Sequence, residues 1–168
     1  MRHLIIMRHG KAERGEGKPD FDRALEPRGW DEAGSVAEQL VLDGLMPDMV
    51  LCSAARRTRD TLCAVLPHIG RDCVVNLRTS LYSAETAELK EAMRTAPGQC
   101  VILIGHNPFV HALALAFAGE DQRAIGPSFP TSTAAVFSMG FALDTVRFEK
   151  LVHPRKSARG DSDGAFDG

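Results

Sequence analysis

Leu4-Ile5-Ile6-Met7-Arg8-His9-Gly10-Lys11-Ala12-Glu13-Arg14 is the stretch that decides how this chain is read. Its first four residues form a continuous apolar run. That predicts a short strand buried on both faces, as in a parallel sheet. The run stops at Arg8-His9-Gly10, so a cation and an imidazole stand at the carboxyl end of a buried strand, where open α/β sheets place their ligands. Gly10 removes a side chain where the backbone must turn or admit a close neighbour. The pattern singles out His9 as the reactive residue.

Outward from that stretch, the 168 residues suit one domain with a three-layer core. Hydrophobic residues make up 44% and charged residues 25%, with a formal net charge of -2. This balance gives no global pull toward nucleic acid or an anionic membrane, and no apolar run reaches the span of a bilayer. The amino terminus lacks a signal-peptide pattern. Cys52, Cys63, Cys73 and Cys100 show no close pairing, and Cys52 and Cys100 sit inside apolar runs. Free thiols and a cytoplasmic location are therefore expected.

Residues 11–24 contain Gly15, Gly17, Lys18 and Pro19 and read as a surface loop on the sheet edge that carries His9. The spacing predicts a helix over 25–44. Pro27 falls in its first turn, Trp30, Ala33, Val36, Ala37, Leu40 and Val41 form its apolar face, and Gly44 stops it. A buried strand over 49–52 ends at Ser53, and a helix over 55–66 is closed by Pro67. A short strand over 73–77 and a helix over 84–94 follow. The strand over 100–104 is succeeded directly by Gly105-His106-Asn107-Pro108 and an apolar helix over 109–117. Residues 134–141 and 145–152 read as a closing antiparallel pair with its turn near Leu143-Asp144. Residues 153–168 are rich in Gly, Asp, Ser and Arg and read as a flexible tail. Its Arg155, Lys156 and Arg159 are solvated charges or a docking patch. The expected fold class is α/β: a three-layer α/β/α sandwich with a mostly parallel central sheet, in one folded domain over 1–152.

Three strands thus end in polar residues of one kind: Arg8-His9, Ser53 with Arg56, Arg57 and Arg59 just after it, and His106. Parallel strands bring their carboxyl ends together, so these groups converge on a site suited to a tetrahedral dianion. Arginine donates a planar fork to phosphate oxygens and keeps its charge. A neutral imidazole can attack phosphorus, and a second one can stabilise the charge that develops on its oxygens. Helix starts after Ser53 and Asn107 add oriented N–H donors. Taken singly, each residue has a plainer explanation as a cap, a packing residue or a solvated face. Their coincidence at three strand ends favours an anion site.

Met7-Arg8-His9-Gly10 resembles the signature of the histidine phosphatase superfamily, the phosphoglycerate-mutase-like family. The run from Ser53 to Thr61 resembles its second motif, whose register names Arg57, rather than Arg56 or Arg59, as the phosphate-binding arginine. Gly105-His106-Asn107-Pro108 resembles the motif of the second catalytic histidine. Within that superfamily the chain is most similar to the short SixA-type phosphohistidine phosphatases, through residues 22–29, Leu81-Tyr82-Ser83-Ala84 and Pro130-Thr131-Ser132. The resemblance implies a phosphoglycerate-mutase-like fold. It also implies a mechanism in which His9 attacks phosphorus, Arg8, Arg57, His106 and Asn107 hold the phosphoryl oxygens, and water releases inorganic phosphate. No cofactor and no metal are implied, because arginines do the charge neutralisation that magnesium does elsewhere.

The implied substrate is phosphohistidine on a signalling or phosphotransfer protein, because no long insertion covers the site. The alternative is a small phosphorylated metabolite bound partly by residues 11–24, and truncating that loop is expected to separate the two. A non-catalytic phosphate-binding scaffold is disfavoured by the presence of both histidines and both arginines. A metal hydrolase built on His3, His9, His106 and His111 is the poorest reading, since His106 and His111 do not share a helix face. Many superfamily members carry an acid between the second and third motifs. Here the candidates are Glu85 and Glu88, with Glu85 the candidate general acid, although both also suit a helix start. A missing acid is tolerable for a labile P–N bond and a handicap for an alkyl phosphate. Lys11 either binds substrate or faces solvent.

Overall fold

A computed structural model describes residues 1–140 and 145–156. Strand β1 (Arg2–Arg8) buries Leu4, Ile5, Ile6 and Met7 completely. Successive side chains of a strand point to opposite faces. Leu4 and Ile6 therefore enter one core, and Ile5 and Met7 enter another. A run that is apolar at every position needs both faces covered, and the rest of the chain supplies the covers.

In order, the further elements are α1 (Pro27–Leu42), β2 (Met49–Ser53), α2 (Arg56–Val65), β3 (Val74–Arg78), α3 (Thr86–Thr95), β4 (Cys100–Gly105), α4 (Phe109–Ala118), the single turn α5 (Gln122–Ile125), β5 (Ala134–Met139) and β6 (Val146–Val152). The sheet order is β3-β2-β4-β1-β5-β6. Strands β3, β2, β4 and β1 are mutually parallel, and β5 and β6 continue the sheet antiparallel. Ala33, Val36, Ala37 and Leu40 of α1 join Leu62 and Val65 of α2 over one face. Leu89 and Met93 of α3 join Val110, Leu113, Ala114 and Phe117 of α4 over the other. This is the expected α/β/α sandwich, with the observed ends of the described elements displaced by a residue or two from the sequence reading.

Three details differ from that reading. Trp30 shares the helical spacing but is 38% exposed. The buried stripe of α1 runs through Gly29, Ala33, Val36, Ala37 and Leu40. The inward position of the first turn thus belongs to Gly29, and Trp30 lies about 100° around the helix from it. The expected tail also begins with an attached segment. Gln39 Nε2 donates to the His153 carbonyl (3.0 Å), and Arg155 pairs with Glu38 (3.0 Å), so residues 153–156 lie along α1. The remainder of that tail and the turn near Leu143-Asp144 lie outside the described residues. The four cysteines are free, with Cys52 and Cys100 buried as expected and Cys63 exposed. Among the described residues no helix is long and apolar enough to cross a membrane.

The site is positioned by one pair of neighbours. β1 and β4 lie side by side with Arg8 opposite Gly105. The helix after β1 packs on one face of the sheet and the helix after β4 on the other. The chain therefore leaves these two strand ends in opposite directions and opens a crevice between them.

Candidate active site

β1 delivers His9 to that crevice. Its N–H donates to the Gly105 carbonyl (3.1 Å) and its carbonyl accepts the Ser132 N–H (3.1 Å). The backbone is thus fixed between β4 and the segment that leads into β5. His9 Nδ1 lies 2.7 Å from the Gly10 carbonyl oxygen. A carbonyl can only accept, so Nδ1 carries the proton and Nε2 carries the lone pair. Burial pushes the ring down to about 3. The Gly10 carbonyl opposes this, and the nearby His106, Arg57 and Arg8 add to it. At pH 7 His9 is a neutral imidazole.

The turn after His9 depends on two glycines. A Cβ on Gly10 would lie 2.7 Å from the Gly29 carbonyl oxygen, and one on Gly29 would strike the Lys11 backbone. The two residues sit back to back where the loop crosses the first turn of α1. The Glu26 N–H donates to the Lys11 carbonyl (2.9 Å) across the same contact. The Gly10 N–H donates to Thr61 Oγ1 (3.0 Å), which donates to the Arg57 carbonyl (2.7 Å). The turn of the nucleophile is thereby bonded to the helix that carries Arg57.

β2 ends at the fully buried Ser53, whose Oγ lies 2.8 Å from His106 Nε2 and accepts the Ala55 N–H at 3.4 Å. His106 follows β4, and its ring centroid is 5.4 Å from that of His9. Burial, followed by Arg57, pushes His106 down to about 4. Both imidazoles are therefore held neutral in front of cations.

The three arginines of α2 have three surroundings. Arg56 is exposed beside Asp60 (3.7 Å), and Arg59 is exposed. Arg57 is 6% exposed. It donates from Nη1 to the Asp20 carbonyl (2.7 Å) and from Nη2 to Asp20 Oδ2 (3.0 Å). The same Oδ2 accepts the Tyr82 hydroxyl at 2.6 Å, and Oδ1 accepts Arg23 at 2.9 Å. The Tyr82 bond first, then Arg23 and Arg57, hold the Asp20 carboxyl down at about 2. The Tyr82 ring stands edge-on to both His106 (5.5 Å) and Phe21 (5.0 Å). Arg8 Nη1 and Asn107 Nδ2 both donate to the Phe129 carbonyl, each at 3.0 Å. Burial, then the neighbouring Arg57 guanidinium, lowers the pKa of Arg8.

Arg8 Nε, His106 Nδ1, Asn107 Oδ1 and Ser132 Oγ are buried without a hydrogen-bond partner among the described residues. Buried polar atoms are normally paired. Here one unpaired atom lies on the His106 imidazole itself, and the other three belong to residues that adjoin the two imidazoles in sequence or in space. Ser132 also holds the left-handed backbone conformation, with φ 61°.

Sequence reasoning places His9, Arg8, Arg57 and His106 at one edge, and the structure brings these four together. Asn107 adjoins them, but its amide nitrogen is engaged by Phe129. Glu85, the candidate acid, forms the N-cap of α3. Its carboxylate accepts the N3 backbone N–H, while Glu88 reaches back to the Glu85 N–H (2.9 Å). Lys11 is exposed. The four histidines of the metal reading are not assembled. His3 lies six residues back along β1, roughly 20 Å from its site end, and faces Glu149 (3.8 Å). His111 bonds the Gly126 carbonyl (3.1 Å). Among the described residues no group of three His, Cys, Asp or Glu is placed to hold a metal ion.

Asp20, Phe21 and Tyr82 are the site-lining residues that sequence reasoning missed. One signal was available: Tyr82 is the single tyrosine of the chain and follows a parallel strand.

The sequence profile of the histidine phosphatase superfamily (branch 1) matches residues 4–82. An uncharacterized protein of Mycobacterium tuberculosis is 36% identical over 138 residues, which cover 77% of this chain and 85% of that one. A proposed phosphohistidine phosphatase SixA from Agrobacterium tumefaciens superposes with a TM-score of 0.81 at 29% identity, covering 91% of this chain and 98% of that one. A mycobacterial glucosyl-3-phosphoglycerate phosphatase shares the fold with a TM-score of 0.62 at 17% identity, covering 89% of this chain and 97% of that one.

Proposed function

This chain belongs to the histidine phosphatase superfamily, and from that premise we propose that it removes phosphate from phosphohistidine carried by a signalling or phosphotransfer protein, through a covalent phosphohistidine on His9. The observation that carries the reading is the neutral His9. Its proton is fixed on Nδ1 and its Nε2 lone pair is free, next to Arg8, Arg57 and His106. Nε2 attacks phosphorus, the new N–P bond forms, and the P–N bond breaks to a substrate imidazole that carries a proton on its other ring nitrogen, so the ring takes the bonding pair and leaves as neutral imidazole. His106 Nε2 lies 2.8 Å from Ser53 Oγ, and its Nδ1 is buried without a partner among the described residues. The His106 imidazole and the two guanidiniums meet the phosphoryl oxygens as charge grows on them. Water then attacks phosphorus, His9 leaves as neutral imidazole, and inorganic phosphate departs. Two cationic guanidiniums match the two charges of the phosphoryl group, so no step in this reading requires a metal ion or cofactor.

The substrate class is supported by two features. Glu85 is engaged in capping α3, and no other carboxylic acid enters the reading. A phosphorylated imidazole, with its labile P–N bond, depends on an acid less than an alkyl phosphate does. The chain also resembles the SixA protein from Agrobacterium tumefaciens over nearly the whole length of that protein. The test is phosphate release from a phosphohistidine-bearing carrier protein and from an aryl phosphate, with chelator present, for wild type and His9→Ala. Strong preference for the carrier with a dead variant supports the reading. Good turnover of the aryl phosphate with the carrier ignored keeps the chemistry and moves the substrate to a small phosphate ester.

A further inference from the structure

The most buried cation of the site is fastened to a surface loop. Asp20 lies in a 3-10 turn (Asp20–Asp22) between β1 and α1, with its side chain about half exposed. It nevertheless offers Arg57 two acceptors, the main-chain oxygen and Oδ2. A guanidinium has five N–H donors, so this contact takes two and leaves three for an anion. Electrostatically the contact is unfavourable for catalysis, because a carboxylate beside Arg57 weakens its attraction for a dianion. What it supplies is geometry: a long flexible side chain is held in one orientation before the anion arrives. Asp20 is itself held. Tyr82 donates to the same Oδ2, and Arg23 holds Oδ1. The Tyr82 ring packs nearly perpendicular to both Phe21 and His106.

We propose that Asp20 is the positioning residue of Arg57 and that Tyr82 keeps Asp20 in that role. The inference rests on the functional reading above only in taking Arg57 as a phosphoryl-binding group. It alters the expectation for residues 11–24. A loop that orients Arg57 serves every phosphoryl substrate, so its removal damages turnover of carrier protein and small ester alike and does not separate the two.

The experiment compares wild type, Asp20→Ala, Asp20→Asn, Tyr82→Phe, Arg57→Ala and the Asp20→Ala/Arg57→Ala double variant. Binding of inorganic phosphate is measured by calorimetry, and kcat/KM is measured with an aryl phosphate. Asp20→Ala is expected to weaken phosphate binding about tenfold and to lower kcat/KM by about 10- to 100-fold. Tyr82→Phe lowers kcat/KM about threefold, and Asp20→Asn, which keeps a side-chain acceptor, recovers part of the Asp20→Ala loss. In the Arg57→Ala background, Asp20→Ala changes neither quantity further. Equal losses with and without Arg57 mean that Asp20 merely folds its loop, and the proposal falls. Tighter phosphate binding in Asp20→Ala means that the carboxylate competes with the anion, and it falls equally. Failure of the phosphohistidine reading appears separately, as a wild-type enzyme that ignores the phosphorylated carrier, and it leaves the phosphate-binding cycle readable.

Discussion

The site has two walls of different construction. The inner wall is made of strand ends. His9, Ser53 and His106 each follow or close a parallel strand with a buried apolar run, and His9 is held by main-chain bonds to Gly105 and Ser132. The outer wall is made of connections. Asp20 and Phe21 come from the loop after β1, and Tyr82 comes from a 3-10 turn (Thr79–Tyr82) after β3. The inner wall is desolvated, and its imidazoles are neutral. The outer wall is half in water, and its carboxylate is charged. Chemistry that needs a fixed lone pair sits where the backbone is tied on both sides by main-chain hydrogen bonds. Orientation of a long cation is left to a loop that touches it from outside. Arg57 is the one residue that both walls share.

The sharpest way to break this division is to remove the inner nucleophile. His9→Ala is expected to lower turnover by about 10³-fold or more while the circular-dichroism melt stays near that of wild type. Full activity in that variant would dissolve the distinction. Next is the shared residue. Arg57→Ala should cost about 10²-fold in kcat/KM, whereas the exposed Arg59→Ala should stay within about twofold. Equal losses would mean that the wrong arginine of α2 has been placed in the site.

Acid titration separates the walls by pH window. Burial depresses His9 to about 3 and His106 to about 4, below their unfolded value of 6.5. The unfolded chain therefore takes up protons that the folded chain refuses as pH falls below 6.5, and stability falls with pH through that range. Asp20 is depressed to about 2 from 3.8, so its contribution is lost only below 3.8. Chemical denaturation between pH 7 and 4 should thus show a smaller fall in His9→Ala than in wild type, and an unchanged fall in Asp20→Ala. The smallest effect belongs to a residue on neither wall. Glu85→Gln should leave turnover within about twofold and lower the melting temperature by a few degrees at most, because it touches only the α3 cap. A large loss of kcat with a shifted acid limb would restore Glu85 as the general acid.

The inner wall was legible because buried parallel strands announce themselves as continuous apolar runs, and whatever follows such a run stands at the sheet edge. Arg8, His9, Ser53 and His106 were found that way. Arg57 was harder. Helical spacing admits Arg56, Arg57 and Arg59 alike, and only the motif register chose among them. Of the outer wall, the loop over 11–24 was legible as a loop at the His9 edge, but its contacts were not. Asp20 meets Arg57 across 37 residues and Tyr82 across 62, and neither contact leaves a periodic trace in the sequence. Asp20 lies two residues ahead of the segment over 22–29 that carries the resemblance. Trp30 was misplaced for a related reason. The periodicity of α1 allows Gly29 or Trp30 to point inward, and the choice was made by the Lys11 backbone, which lies far outside any window on the helix.

The back-to-back glycines have a consequence for variation in this protein. At most crowded positions a larger residue can be accommodated by a smaller one opposite, so a damaging substitution has second-site suppressors. Gly10 and Gly29 each face the other's backbone or that of Lys11, not a side chain. Nothing opposite can be trimmed to make room. In a saturation library both columns should be empty of every residue but glycine, and a screen for suppressors of Gly29→Ala should return only revertants.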